Sequence, residues 1–138
     1  MSHFETSTAT LRLFGDELDP ETITFRLGCS YTRCARKGEV TIGKVTGNER
    51  IAKTGSWLLS ASDQKPANLD LQIAEILTQL TDDLEVWREL TKKYQANVFC
   101  GMFMATGNDG LELSATTLQS LGERGLEIWL DVYDHTDD

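Results

Sequence analysis

Histidine, proline and cysteine are scarce in this chain of 138 residues, with two, two and three copies, and basic side chains number only 13. So few prolines, beside 11 glycines and apolar residues spread throughout, exclude a disordered or low-complexity chain. No apolar run approaches the ~18 residues that a membrane span needs, so no membrane association is expected. Cys29, Cys34 and Cys100 are an odd count at irregular spacing, which is no disulfide framework and suits a reducing compartment. The opening Met1-Ser2-His3-Phe4-Glu5-Thr6 has neither the basic leader nor the apolar segment of a signal peptide, so the expected location is the cytoplasm.

Against the 13 Lys and Arg stand 22 Asp and Glu, a formal net charge of −9. Residues 1–60 carry 8 basic and 7 acidic side chains and residues 61–138 carry 5 and 15, so the acidity belongs to the second half. Such a field repels a polyphosphate backbone and excludes general nucleic-acid binding. Positive charge collects only in 33–53, where Arg33, Arg36, Lys37, Lys44, Arg50 and Lys53 face Glu39 and Glu49. The length predicts one globular domain over 1–138, with tails at 1–7 and 135–138.

Alternation predicts strands at 9–14, 55–61, 97–105 and 126–133, and a short edge strand near 39–45. Asp19, Pro20 and Gly28 bracket a helix of two turns whose buried stripe is Ile23 and Leu27. From Leu69 to Tyr94, apolar residues at Ile73, Ile76, Leu77, Leu80, Leu84, Trp87 and Leu90 step by three or four, predicting one long helix with a break allowed near Thr81. Gly107-Asn108-Asp109-Gly110 predicts a hairpin turn between 97–105 and 111–113, and Ser114 caps a helix over 115–121. The expected fold is α+β: a two-layer sandwich of a mostly antiparallel sheet with helices on one face, ferredoxin-like in character. Strand, turn, cap and short helix occur near both ends, which suggests an internal duplication.

Chemistry is hard to place on this sequence. His3 and His135 fall in the predicted tails, so no Ser or Cys has an evident general base, and no catalytic residue is expected. The three cysteines lack a fourth ligand for structural zinc, and the acidic end with Asp131, Asp134, His135, Asp137 and Asp138 reads as a solvated tail, so neither metal nor cofactor is expected. Helix capping explains Asp16, Asp19 and Glu21 without acid/base work. The most suggestive set is Arg33, Arg36, Lys37 and Trp57: guanidinium forks bind carboxylate or phosphate, and an indole can shape a pocket. The simpler account is a basic loop paired with the acidic second half.

Phe14-Gly15-Asp16-Glu17-Leu18-Asp19-Pro20-Glu21, residues 32–38, Gly55-Ser56-Trp57-Leu58-Leu59-Ser60, residues 113–121 and Leu130-Asp131-Val132-Tyr133 together resemble the bacterial domain-of-unknown-function family 4279. The resemblance covers nearly the whole chain, is weakest over 41–54, and rests on the order of short motifs. It implies a stand-alone bacterial domain and supplies no activity, substrate or site residue. The expected role is a non-enzymatic module that binds a protein or peptide through its sheet face, sheet edge or basic stretch, a homodimer being compatible with it. Neutralisation of a basic toxin is an analogy for such an acidic domain. The competing expectation is a small-ligand or enzymatic pocket near Trp57 and the Arg33, Arg36 and Lys37 cluster.

Overall fold

In strand β2 (Thr6–Gly15) Ser7, Ala9, Leu11 and Leu13 are buried while Thr8, Thr10, Arg12 and Phe14 remain half-exposed. That two-residue period belongs to a strand with one packed and one open face. The computed structural model describes residues 2–135 and sets β2 at the centre of a mixed five-stranded sheet. Its other strands are β3 (Arg33–Ala35), β6 (Gly55–Ser60), β7 (Gln95–Phe103) and β9 (Glu127–Tyr133), in the order β3-β6-β2-β7-β9. Antiparallel pairing joins β3 to β6, β6 to β2 and β2 to β7, whereas β7 and β9 run parallel. Leu11 stands between Leu59 and Val98, and Leu13 beside Trp57, so the packed face is a continuous apolar layer.

Helix α1 (Pro20–Leu27) follows its expected bounds. Asp19 accepts the Glu21 backbone N–H, Pro20 occupies the first turn, and Gly28 takes φ 86°, a left-handed conformation that glycine adopts without strain. Ile23 and Leu27 are fully buried. The long helix expected over 69–94 is instead two helices, α2 (Leu69–Thr78) and α3 (Leu84–Lys93). Polar groups between them find partners outside the helical ladder. The Thr81 N–H donates to the Leu27 carbonyl, the Thr81 hydroxyl accepts the Asp83 N–H, and Asp83 caps α3 through the Glu85 N–H. The Trp87 indole then donates to the Thr81 carbonyl, 2.8 Å away, fixing the bend. Leu80, Trp87 and Leu90 keep their places in the core, but Leu84 is 36% exposed.

The N-terminal residues expected as a tail are built into the fold. Strand β1 (Ser2–His3) pairs in parallel with β8 (Asp109–Gly110), Phe4 is buried, and Ser7 is fully buried. The Ser7 hydroxyl donates to Gln72 Oε1 at 2.6 Å and accepts the Asn68 N–H at 3.0 Å. Gln72 Nε2 donates to the carbonyls of Ser7 and Ser62, so an amide fully buried on α2 is satisfied on both sides.

The hairpin expected after β7 does not form. Asp109 accepts the N–H groups of Ala105 and Thr106 and the Thr106 hydroxyl, which folds the loop on itself and delivers β8 to β1 instead. A hairpin does occur where one short strand was expected, between β4 (Val40–Ile42) and β5 (Glu49–Ile51), every residue of which is exposed. Helix α4 (Ala115–Glu123), capped by Ser114, connects the parallel neighbours β7 and β9, while α1 leads from β2 to β3, which run in the same direction with β6 between them. Both ends of the chain therefore lead through a helix to a strand of the same direction, but β9 lies next to β7 whereas β6 separates β3 from β2.

Candidate functional site

Register brings together on the open face residues far apart in sequence. Arg12 stands opposite Asn97, and Phe99 has Thr10 on one side and Trp129 on the other. The Arg12 Nε donates to Asn97 Oδ1 at 2.9 Å. Its guanidinium carbon lies 4.4 Å from the Phe99 ring centre, 5.3 Å from Phe14 and 5.6 Å from Trp129. Partial burial lowers the guanidinium pKa from its ordinary value. Each cation–π contact is worth about 0.5–2 kcal/mol, the larger figure when desolvated, so the arginine locks three rings into one platform.

Toward the end of the strands the Phe103 and Tyr133 rings stack with centres 4.8 Å apart. The Tyr133 hydroxyl donates to the Asp131 carboxylate at 2.5 Å, which raises the phenol pKa. Between them Gly101 leaves room for Thr8: a Cβ there would stand 2.7 Å from the Thr8 Oγ1 that accepts the Gly101 N–H.

Strand β9 ends the sheet, and among the described residues nothing pairs with its outer edge. Both of its faces reach solvent. Trp129 and Tyr133 are exposed on the open side, where Asp131 and Glu127 add negative charge, and Leu130 and Val132 are exposed on the other. A long exposed apolar edge attracts further strands, and soluble proteins ordinarily blunt or cover it.

The residues singled out from the sequence lie elsewhere. Arg36 reaches Asp19 at 2.8 Å and Lys37 reaches Asp16 at 3.2 Å, so the basic stretch pairs with carboxylates of its own half rather than with the acidic second half. Lys37, then the Thr54 hydroxyl, hold the Asp16 pKa below the ordinary range, and the Thr22 hydroxyl, then Arg36, do the same for Asp19. Arg33 is exposed on β3, with no ion pair among the described residues. Trp57 is separated from all three: it is fully buried on the packed face, its indole N–H on the Thr24 hydroxyl at 3.1 Å. Four strand spacings, roughly 19 Å, divide β3 from β9. Arg12, Phe99 and Trp129 escaped notice because only register assembles them. The available signal was Arg12-Leu13-Phe14, a cation and a ring on the polar phase of a strand.

Cys34 and Cys100 stand three strand spacings apart across the sheet, roughly 14 Å, and are further offset along the strands because Ala96 is the β7 residue level with Cys34; Cys100 is buried with its thiol pushed up to about 12 by desolvation. Among the described residues no three His, Cys, Asp or Glu side chains gather to hold a metal. Asp137 and Asp138 lie outside those residues. His135, expected in a tail, sits 3.0 Å from the Asp134 carboxylate and lines a cleft of about 420 Å³ with Glu5, Phe103 and Tyr133. A larger cleft, about 540 Å³, opens between α2 and α4. Among the described residues no helix is long and apolar enough to cross a membrane.

These elements define an α+β domain on a mixed five-stranded sheet with an exposed aromatic edge. The chain belongs to the family described as Domain of unknown function (DUF4279), whose model matches residues 5–135. No curated protein and no solved structure matches it.

Proposed function

We propose that this domain is a non-enzymatic binding module that accepts an extended basic segment of a partner protein as an added strand along β9. In this reading the four helices form one layer behind the sheet and leave the other face free for recognition. The observation that carries it is β9: an edge seven residues long, unpaired among the described residues, with Trp129 47% exposed and Leu130 53% exposed on opposite faces. Main-chain bonds to that edge supply affinity, and alternate side chains supply specificity. On the open side, Lys or Arg would meet the Trp129 and Tyr133 rings beside Glu127 and Asp131; on the other, apolar residues would meet Leu130 and Val132. A net charge of −9 favours a basic partner over a second copy of the chain.

A partner captured from the native host and purified should bind Trp129→Ala at least ~30-fold more weakly, the loss of an interface hot spot, and should not distinguish Arg36→Ala from wild type. Sensitivity to Arg36→Ala alone would move the site to the basic stretch. A dimer that Leu130→Lys disperses in sedimentation would make the occupant a second copy and overturn the peptide reading. The pocket expected at Trp57 gains no support, because the indole is enclosed and Arg36 and Lys37 are held by carboxylates.

A further inference from the structure

We propose that the cleft between α2 and α4 binds a small monocarboxylate with a short apolar body, held by Arg124. Its volume, about 540 Å³, falls within the roughly 300–1,000 Å³ of small-molecule sites. Ile73, Leu77 and Leu80 form one wall at helical spacing, all buried side chains that present apolar surface. Thr116 and Ser120 face them one turn apart on α4, and neither hydroxyl makes a hydrogen bond to protein among the described residues.

Arg124 closes the end of this wall. Its side chain is nine-tenths buried, an unusual place for a cation. Nη1 donates to the Ser120 carbonyl at 3.0 Å and approaches Glu123 at 3.4 Å, and the Trp87 ring lies 6.0 Å from the guanidinium. Nε, closed to solvent, has no acceptor among the described residues. A buried donor without a partner is costly, and a guanidinium whose one nitrogen is tied to backbone keeps the Nε–Nη2 edge that matches a carboxylate with two parallel bonds.

The charge around it sets the ligand class. One guanidinium and two hydroxyls suit one carboxylate, whereas Asp82 on the cleft wall and Glu123 beside Arg124 oppose a phosphate or dicarboxylate. This site is independent of β9, so the fate of either assignment leaves the other standing.

The test titrates the full chain with hexanoate, hexanamide and inorganic phosphate and follows backbone amides and the Arg124 Nε–H by NMR. Hexanoate should give saturable shifts confined to α2, α4 and Arg124, with hexanamide at least tenfold weaker and phosphate weaker still. Ser120→Leu fills the cleft without touching the guanidinium and should abolish the shifts while the rest of the spectrum stays folded; Arg124→Met should abolish them too. If Arg124→Met fails to fold, Ser120→Leu decides. Absence of saturable shifts, equal binding of the amide, tighter binding of phosphate, or full binding by folded Ser120→Leu would overturn the assignment.

Discussion

Replacing Gln72 by Leu places an apolar side chain of similar size where α2 meets the packed face, and the hydrophobic gain alone would suggest stabilisation. The local bonds argue the opposite. The substitution leaves the Ser7 hydroxyl without its acceptor and the Ser7 carbonyl without its side-chain donor, both in a region closed to water, whereas Ser62 is exposed and its carbonyl can turn to solvent. One orphaned hydroxyl at about 1–3 kcal/mol and one lost bond of about 0.5–1.5 kcal/mol to a carbonyl that keeps the Gln64 N–H, offset by about 1 kcal/mol of added apolar burial, leave a loss of about 0.5–3.5 kcal/mol. With a urea m-value of ~2 kcal/mol/M, the denaturation midpoint should fall by about 0.3–1.8 M. Ser7→Ala orphans Gln72 Oε1 and the Asn68 N–H and should cost about 1–3 kcal/mol. The double variant loses their shared bond only once, so the cycle should show a coupling of about 1 kcal/mol. Equilibrium urea unfolding of the four proteins measures all three quantities. An unchanged or raised midpoint for Gln72→Leu, or strict additivity, would refute the idea that this network holds α2 on the sheet.

Leu80→Ala, at a position only 8% exposed, should lower stability by about 2–5 kcal/mol, while Leu84→Ala should cost under about 1 kcal/mol; equal losses in thermal unfolding would restore the single helix. Brief native alkylation read by peptide mass spectrometry should modify the half-buried Cys29 and Cys34 first, because Cys100 is buried and its thiol is pushed up to about 12. Carboxyl NMR should find Asp16 and Asp19 titrating below the ordinary aspartate range. Since their folded pKa values are depressed, the stabilisation from these groups is present above the unfolded value of about 3.9 and is lost as pH falls through the folded value. Arg36→Ala should move Asp19 only part of the way back, because the Thr22 hydroxyl is the larger cause.

What the sequence disclosed divides along the range of the interaction involved. Asp19, Pro20 and Gly28 act within one helix, so α1 could be read directly with its caps and its buried stripe. The stripe from Leu69 to Leu90 correctly marked core residues, but it stayed in phase across 79–83. Only the Leu27 carbonyl, outside that local pattern, and the polar N–H of the Trp87 indole, a residue the stripe counts as apolar, show why the chain bends there. Ser7 and Phe4 looked like tail because their partners lie on α2 and in the loop before it. The basic stretch was visible as charge, yet its partners Asp16 and Asp19 were claimed by capping and could be recognised only in space. Arg12, Phe99 and Trp129 come from three strands whose order and register no single segment encodes. The same holds for β9, whose alternation suggested one buried face although its edge position exposes both.

Hydrogen exchange of the full chain, free and saturated with the partner captured from its host, addresses the strand-addition claim most directly. Strand addition predicts new protection concentrated in β9, with the Trp129 indole N–H slowed as well and with little change in β4, β5 and residues 33–37. Protection confined to that basic segment and its hairpin, with β9 exchanging as in the free protein, would contradict it.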